Sequence, residues 1–259
     1  MIYMFKNLYQ YRELLKSNVK KEIRGKYKGS FLGILWSFVN PLLQVLVYAI
    51  VFPFILKSPE PNYVVFLIIG ILPWTWFTTS LSQGTFTILG NAGIIKKVYF
   101  PREILPISVV TSGLINFLIS CLIIFAFLIF SGIGFSGYFI YLPLVILVQY
   151  IITLGIVFIT SAINVYIRDA EYIINFIVNM LFYATPILYS PDVFAGTKFE
   201  LLIKCNPLAT IINGYRDILF HQVMPDLKML FLVLAIGFIV LLLGIQIFRK
   251  LERGFAEEV

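Results

Sequence analysis

Ser37, Asn40, Gln44, Tyr48 and Phe52 recur every three or four residues, and so do Asn175, Asn179 and Tyr183, with Phe182 beside them. Residues at that spacing share one face of a helix. Each set therefore presents amides, hydroxyls and aromatic rings in one column. Such a column performs no acid–base chemistry. It offers hydrogen bonds to neutral hydroxyls and flat ring faces to the apolar C–H side of a sugar. The same side chains also serve as interhelical glue, because Asn and Gln hydrogen-bond across packed helices.

Other chemistries are poorly represented. The only Gly-Lys pair, Gly25-Lys26, has Lys20 where a phosphate-binding P-loop needs its first glycine, so an ATP site of that kind is not expected in this chain. His221 is the single histidine and has no second His or Cys nearby, which argues against a metal site. No acid–base pair sits where a membrane-embedded hydrolase or glycosyltransferase would need one, so the chain is not expected to be an enzyme. Cys121 and Cys205 fall in different kinds of segment, one mid-span and one in an outer stretch, and are not expected to pair.

The elements that carry the two columns follow from where charge is missing. No charged residue lies between Lys28 and Lys57, Glu60 and Lys96, Glu103 and Arg168, Glu171 and Asp192, or Lys228 and Arg249. A charge at the bilayer centre costs roughly 2.5–3.5 kcal/mol even on insertion scales. About 20 apolar residues cross a hydrocarbon core of about 30 Å. The third gap is long enough for two crossings, and Ser131-Gly132-Ile133-Gly134-Phe135-Ser136-Gly137 divides it at a turn. The reading is an all-α membrane protein, one domain over 1–259, with spans at about 31–56, 62–86, 105–130, 139–166, 172–190 and 229–248. A hydrophobic content of 60% with 13% charged residues agrees.

Residues 1–28 mix Lys and Arg with short apolar patches and lack the continuous apolar run of a cleavable signal. Within them, 4–23 place Phe5, Leu8, Leu15, Val19 and Ile23 near one helical face, which predicts an amphipathic helix in the cytoplasmic interface. A solvated basic leader is the alternative. Between spans five and six, 191–228 contains apolar runs too short to cross, and Asn206-Pro207 supplies a cap and a helix-starting proline. Two short re-entrant helices at the outer face are expected there.

Orientation comes from Lys and Arg, which stay on the cytoplasmic side. One side of this arrangement holds fifteen of them, including the N-terminal segment, the 87–104 loop and the C-terminal tail, against five on the other. Both termini are thus expected in the cytoplasm. The net charge of +7 then reflects topology and attraction to anionic lipid, not nucleic-acid binding. Lys97, Phe100, Pro101, Arg102 and Glu103 in one cytoplasmic loop, and Arg168, Asp169 and Glu171 in the next, mix both signs of charge with a proline and an aromatic. That mixture suits docking to a soluble partner, with Phe100 as an anchor, or ordinary solvation beside the membrane. Arg24, Lys26 and Lys28 lie where a lipid phosphate would enter, although topology alone explains them.

The segment Arg24-Gly25-Lys26-Tyr27-Lys28-Gly29-Ser30-Phe31-Leu32-Gly33-Ile34-Leu35-Trp36, followed by Asn40-Pro41-Leu42, resembles the entry into the first helix of ABC-2 type permeases for O-antigen and related polysaccharides. The resemblance continues through Lys97–Glu103 to Pro106, Arg168-Asp169, Thr185-Pro186-Ile187-Leu188-Tyr189 and Asn206-Pro207. It implies a six-helix subunit working as a homodimer, docked through cytoplasmic coupling helices to a separate subunit that binds ATP and Mg. Lipid-linked polysaccharide would move to the outer face of the cell membrane through a channel flanked by spans one and five. A different cargo (teichoic acid, capsule or a drug) and a membrane-embedded enzyme or scaffold acting on lipid-linked sugars are the competing readings. The stretch 191–204 carries no motif of the family.

Overall fold

The computed structural model describes residues 9–25, 31, 33–56, 62–194 and 196–259. Among these, the regular structure is helical: α1 (Arg12–Gly25), α2 (Trp36–Leu56), α3 (Tyr63–Gly90), α4 (Ile104–Phe130), α5 (Leu142–Tyr166), α6 (Ala170–Ala184), α7 (Lys198–Cys205), α8 (Pro207–Leu219) and α9 (Leu227–Leu251). Four apolar stretches, built on α3, α4, α5 and α9, are long enough to cross a membrane. α2 has 21 residues, with Val39–Val51 as its apolar stretch. α6 has 15 residues, fewer than the roughly 20 that a straight crossing takes.

The early end of α6 has a local cause. Pro186 has no N–H to continue a helix and disfavours helical backbone at the residue before it. Thr185 is accordingly extended, with φ −110° and ψ 135°. Span five, expected to reach 190, therefore loses its helix at Ala184. The opposite happens between α4 and α5, where Gly132 and Gly134 adopt left-handed φ values of +77° and +75° and make the expected turn.

α3 is the centre of the bundle, with Phe66, Leu67, Ile69, Ile71 and Ile88 almost fully buried. α5 lies beside it, and α9 packs along α5. Lipid tails are as apolar as leucine, so helices in a membrane gain association from close packing at small residues. A Cβ placed on Gly155 would come 2.7 Å from the Leu241 nitrogen, and one on Gly244 would come 2.5 Å from the Gly155 carbonyl. Both glycines are what lets α5 and α9 touch backbone to backbone.

Of the N-terminal helix expected over 4–23, Phe5 and Leu8 lie outside the described residues. The described part, α1, runs on to Gly25 and has no buried residue. It lies along α4, with Leu15, Val19 and Ile23 beside Thr111 and Ile115. Lys21 Nζ donates to Asn91 Oδ1 at 2.8 Å, fastening α1 to the end of α3.

The two short helices expected in 191–228 are α7 and α8. Asn206 caps α8 by accepting from the Leu208 amide at 2.9 Å, and Pro207 opens the first turn. The apolar face of α8 buries Leu208, Ile211, Ile212, Tyr215, Ile218 and Leu219. Tyr215 meets Phe117 of α4 edge-on at 5.6 Å, and Phe117 stacks on Trp76 of α3 at 5.2 Å. Arg216, one of the five Lys and Arg counted on the outer side, is 1% exposed. Its guanidinium donates to the carbonyls of Pro186 and Ile187, the latter at 2.6 Å, and lies 3.5 Å from the centroid of Phe66. The carbonyls of the segment that follows α6 thus receive donors from α8. Tyr63 supplies another, donating to the Leu188 carbonyl at 2.7 Å.

Replacing Arg216 with Met keeps the length of the side chain and removes the donors. The loss of buried hydrogen bonds to charged groups is worth about 2–4 kcal/mol here, so the thermal midpoint of the purified protein should fall by several degrees. Gly155→Val should lower it too, by about 1–3 kcal/mol of overpacking, while Val193→Ala, at an exposed position, should leave it within experimental scatter.

Candidate functional site

The column on α2 is only partly visible, because the side chains of Ser37 and Phe52 lie outside the described residues. Asn40 is exposed, while Gln44 and Tyr48 are half-buried. Gln44 Nε2 donates to the Tyr48 hydroxyl at 3.2 Å. The two side chains stand one helical turn apart on α2. On α6, Asn175 is half-buried, Asn179 is exposed, and Tyr183 is 68% exposed.

The two columns meet through aromatic rings. Tyr48 of α2 stands 6.1 Å from Phe182 of α6, measured between centroids. Phe182 in turn tilts against Trp74 of α3 at 5.7 Å and meets Tyr183 edge-on at 5.5 Å. The fold therefore brings residues more than a hundred positions apart into one polar and aromatic surface. Its open side on α6 continues through Tyr172, Phe176 and Met180.

Behind Asn40 the surface deepens into a cavity of about 300 Å³ between α2, α3 and α4, lined by Trp36, Asn40, Thr75, Thr79, Asn116 and Ser120 among others. The carbonyl oxygen of the Asn116 side chain is buried there without a hydrogen-bond partner among the described residues. Ser120 Oγ donates to the Asn116 backbone carbonyl at 2.9 Å. Thr75 with Thr79, and Asn116 with Ser120, repeat the four-residue spacing that marks α2 and α6. That spacing was the available signal for these four residues, which the reading of spans one and five alone passes over. The surface is uncharged throughout and suits a neutral, hydroxyl-rich ligand.

A charged cluster closes the opposite end. Glu103 is 5% exposed and is paired with Arg249 of α9 at 3.1 Å. Arg102 donates to the Glu252 carbonyl, and its guanidinium lies 6.0 Å from the ring of Phe255. Phe255 is fully buried between Phe248, at 5.3 Å, and Tyr166, at 6.3 Å. Tyr166 donates its hydroxyl to the Leu251 carbonyl at 2.8 Å. The last residues of the chain thereby tie the loop before α4 to the end of α5. Burial first, and then Glu103, raises the Glu252 carboxyl above its ordinary range, with Arg102 opposing.

Of the residues read as coupling, Lys97, Arg168 and Asp169 are exposed, and Pro101, Arg102 and Glu171 are half-buried. Phe100 is not presented outward: it is 6% exposed and joins the chain's own core, because burying a large ring inside is worth more than displaying it. The exposed aromatic of that loop is Tyr99, at 90%. Asn164 fixes the next loop by accepting from the Glu171 amide at 3.1 Å while donating to the Thr85 carbonyl at 3.2 Å. Tyr99, Arg102, Glu103, Arg249, Glu252 and Arg253 border a cleft of about 620 Å³. Arg249, Glu252 and Phe255 carry no motif, so the sequence offered no signal for them.

Arg24 is exposed near the end of α1, and Lys26 and Lys28 lie outside the described residues. Among the described residues no group of three or more His, Cys, Asp or Glu is spaced to hold a metal.

Residues 13–220 match the family described as ABC-2 type transporter. The chain is 35% identical over 260 residues to the O-antigen export system permease protein RfbA of Myxococcus xanthus, covering 100% of both proteins. It is 37% identical over 246 residues to the protein of the same name from Klebsiella pneumoniae, covering 95% of this chain and 94% of that one.

The buried end of the Glu103–Arg249 pair is the vulnerable one. Arg249→Gln strands a desolvated carboxylate and should cost about 1–3 kcal/mol after allowance for the exposed arginine. Glu103→Gln together with Arg249→Gln should recover most of that loss, as read from a double-mutant cycle of thermal midpoints.

Proposed function

The chain belongs to the ABC-2 type transporter family, as a permease subunit that works with an ATP-binding partner and not as an enzyme, and we propose that it moves lipid-linked polysaccharide of the O-antigen type outward across the cytoplasmic membrane. The carrying observation is the uncharged polar and aromatic surface built by α2, α3, α4 and α6. A polymer of hydroxyls needs hydrogen bonds that form and break easily, and neutral amides, hydroxyls and ring faces supply them. The full-length similarity to two proteins named as O-antigen export permeases supports the cargo.

The conduit is formed by two copies of the chain. Asn179 and Tyr183 are exposed on α6, as is Asn40 on α2, and polar groups facing hydrocarbon are costly. A second copy or a hydrated path between copies would remove that cost. Ser37, Asn40, Gln44, Tyr48, Phe52, Asn175, Asn179, Phe182 and Tyr183 line the path, joined by Thr75, Thr79, Asn116 and Ser120. The topology is six spans with both termini cytoplasmic, supported by the excess of Lys and Arg on that side. In it α6 and the extended residues 185–189 together make the fifth crossing, with α7 and α8 re-entering from outside.

The driving energy enters at the cytoplasmic end. ATP and Mg sit on the partner subunit, and this chain binds no nucleotide. Lys97, Pro101, Arg102, Glu103, Arg168, Asp169 and Glu171 receive the partner's motion, with Phe100 transmitting it inward from the core side of the same loop. Arg24, Lys26 and Lys28 stand at the mouth where the phosphate of the lipid carrier would enter.

Tyr183→Ala and Asn116→Leu should each reduce surface polysaccharide at least tenfold in cells, while the permease still co-purifies with its ATP-binding partner. Normal export in both variants would remove the conduit assignment. Charge reversal at Arg102 and Asp169 together should uncouple the complex: ATP hydrolysis continues and export per ATP drops. Unchanged export per ATP would refute the coupling assignment.

A further inference from the structure

α8 has two faces, and only one is spent on the bundle. Thr210, Asn213, Asp217 and His221 follow one another at three- and four-residue steps along the other. Thr210, Asn213 and Asp217 are half-buried and His221 is exposed. An amphipathic helix at a free surface would simply wet this stripe. Here it is walled in: residues 190–191 close one side, Ile203 and Lys204 of α7 another, and Asp226, Met229 and Leu230 at the start of α9 the third, leaving a pocket of about 440 Å³. That size lies within the range of small-ligand sites, about 300–1,000 Å³.

The polar groups in the pocket differ in how far they are committed. Lys204 pairs with Glu200 at 2.5 Å. Asp226 caps α9 by accepting from the Met229 amide at 3.1 Å. The carboxylate of Asp217 and the side-chain amide of Asn213 make no hydrogen bond among the described residues. Burial raises the Asp217 carboxyl above its ordinary range, and His221 only partly offsets it. A half-buried carboxylate next to an amide with four open hydrogen-bonding positions is arranged for a ligand that brings several hydroxyls. Ile203, Met229 and Leu230 add apolar surface to the same lining, and a sugar ring likewise presents both hydroxyls and apolar C–H groups.

We propose that this outer pocket binds a single pyranose unit, with Asp217 accepting from two adjacent hydroxyls and Asn213 donating and accepting beside it. The pocket is separate from the conduit cavity lined by Asn40 and Asn116. Its place in transport rests on the exporter reading: a saccharide unit leaving the conduit is held at the outer face, next to the Thr185–Tyr189 segment that Arg216 clamps, and this disfavours its return.

The test uses the permease in complex with its ATP-binding partner in lipid nanodiscs, probed by saturation-transfer NMR. The probes are methyl α-D-mannopyranoside, methyl β-D-galactopyranoside and methyl α-L-rhamnopyranoside. At least one should give a saturable signal, weakened tenfold or more by Asp217→Asn and by Asn213→Ala. An unchanged thermal midpoint in Asp217→Asn separates lost binding from lost folding. No saturable signal from any probe, or equal binding in the wild type and in both pocket variants, overturns the proposal. Surface polysaccharide is measured in the same strains. Export without glycoside binding sinks the pocket and leaves the exporter reading standing, whereas binding that depends on Asp217 without any export does the reverse.

Discussion

Backbone carbonyls and amides at membrane depth need partners from within the protein, and most of this structure answers that requirement. Helices answer it by themselves wherever they run unbroken. At Thr185-Pro186 the helix cannot continue, and the carbonyls of Pro186, Ile187 and Leu188 are served by Arg216 and Tyr63 instead. Asn206 contributes from the same direction, donating to the Ala184 carbonyl at 3.1 Å and to the Thr185 hydroxyl at 3.0 Å. One cation from α8 is thus a structural element of the segment that follows α6. Gly70 belongs to this arrangement as well, since a Cβ there would come 2.9 Å from the Arg216 Nη2.

A second consequence concerns how polarity is distributed. With no Asp, Glu, Lys, Arg or His in α2, α3, α4 or α5, hydrogen-bonding capacity there resides in Asn, Gln, Thr, Ser and Tyr. Some of these side chains are consumed by the fold. Gln149 donates to the Pro73 carbonyl at 2.8 Å, and Thr85 donates to Thr160 at 2.9 Å. Others, Asn40, Asn116 and Asn179 among them, face cavities or the outside. The division between side chains consumed by the fold and side chains left facing cavities or the outside therefore runs residue by residue within the same amino-acid types.

The two ends of the molecule are built on different chemistry. The end that carries the 97–103 loop is held through the Glu103–Arg249 ion pair and buried rings, with the C-terminal residues as the link between Arg102, Glu103 and Tyr166. Such contacts tie the loop before α4 to the ends of α5 and α9. The other end is held by backbone carbonyls around a guanidinium and leaves a polar pocket beside it.

The charge gaps, the glycine turn at 131–137 and the Asn206-Pro207 start determined the long apolar segments and the two short helices from sequence alone, because hydrophobic length and turn chemistry are local properties. The columns on α2 and α6 were legible for the same reason: helical spacing is written along the chain. Tertiary structure alone decided that Phe100 turns inward, that Arg216 is buried, and that Thr75 and Asn116 join Asn40 around one cavity. It also decided that Arg249 and Phe255 complete the cluster around Arg102 and Glu103. Each of these depends on which helix lies opposite, and a contact between Glu103 and Arg249, or between Arg216 and Pro186, leaves no periodic trace in either segment.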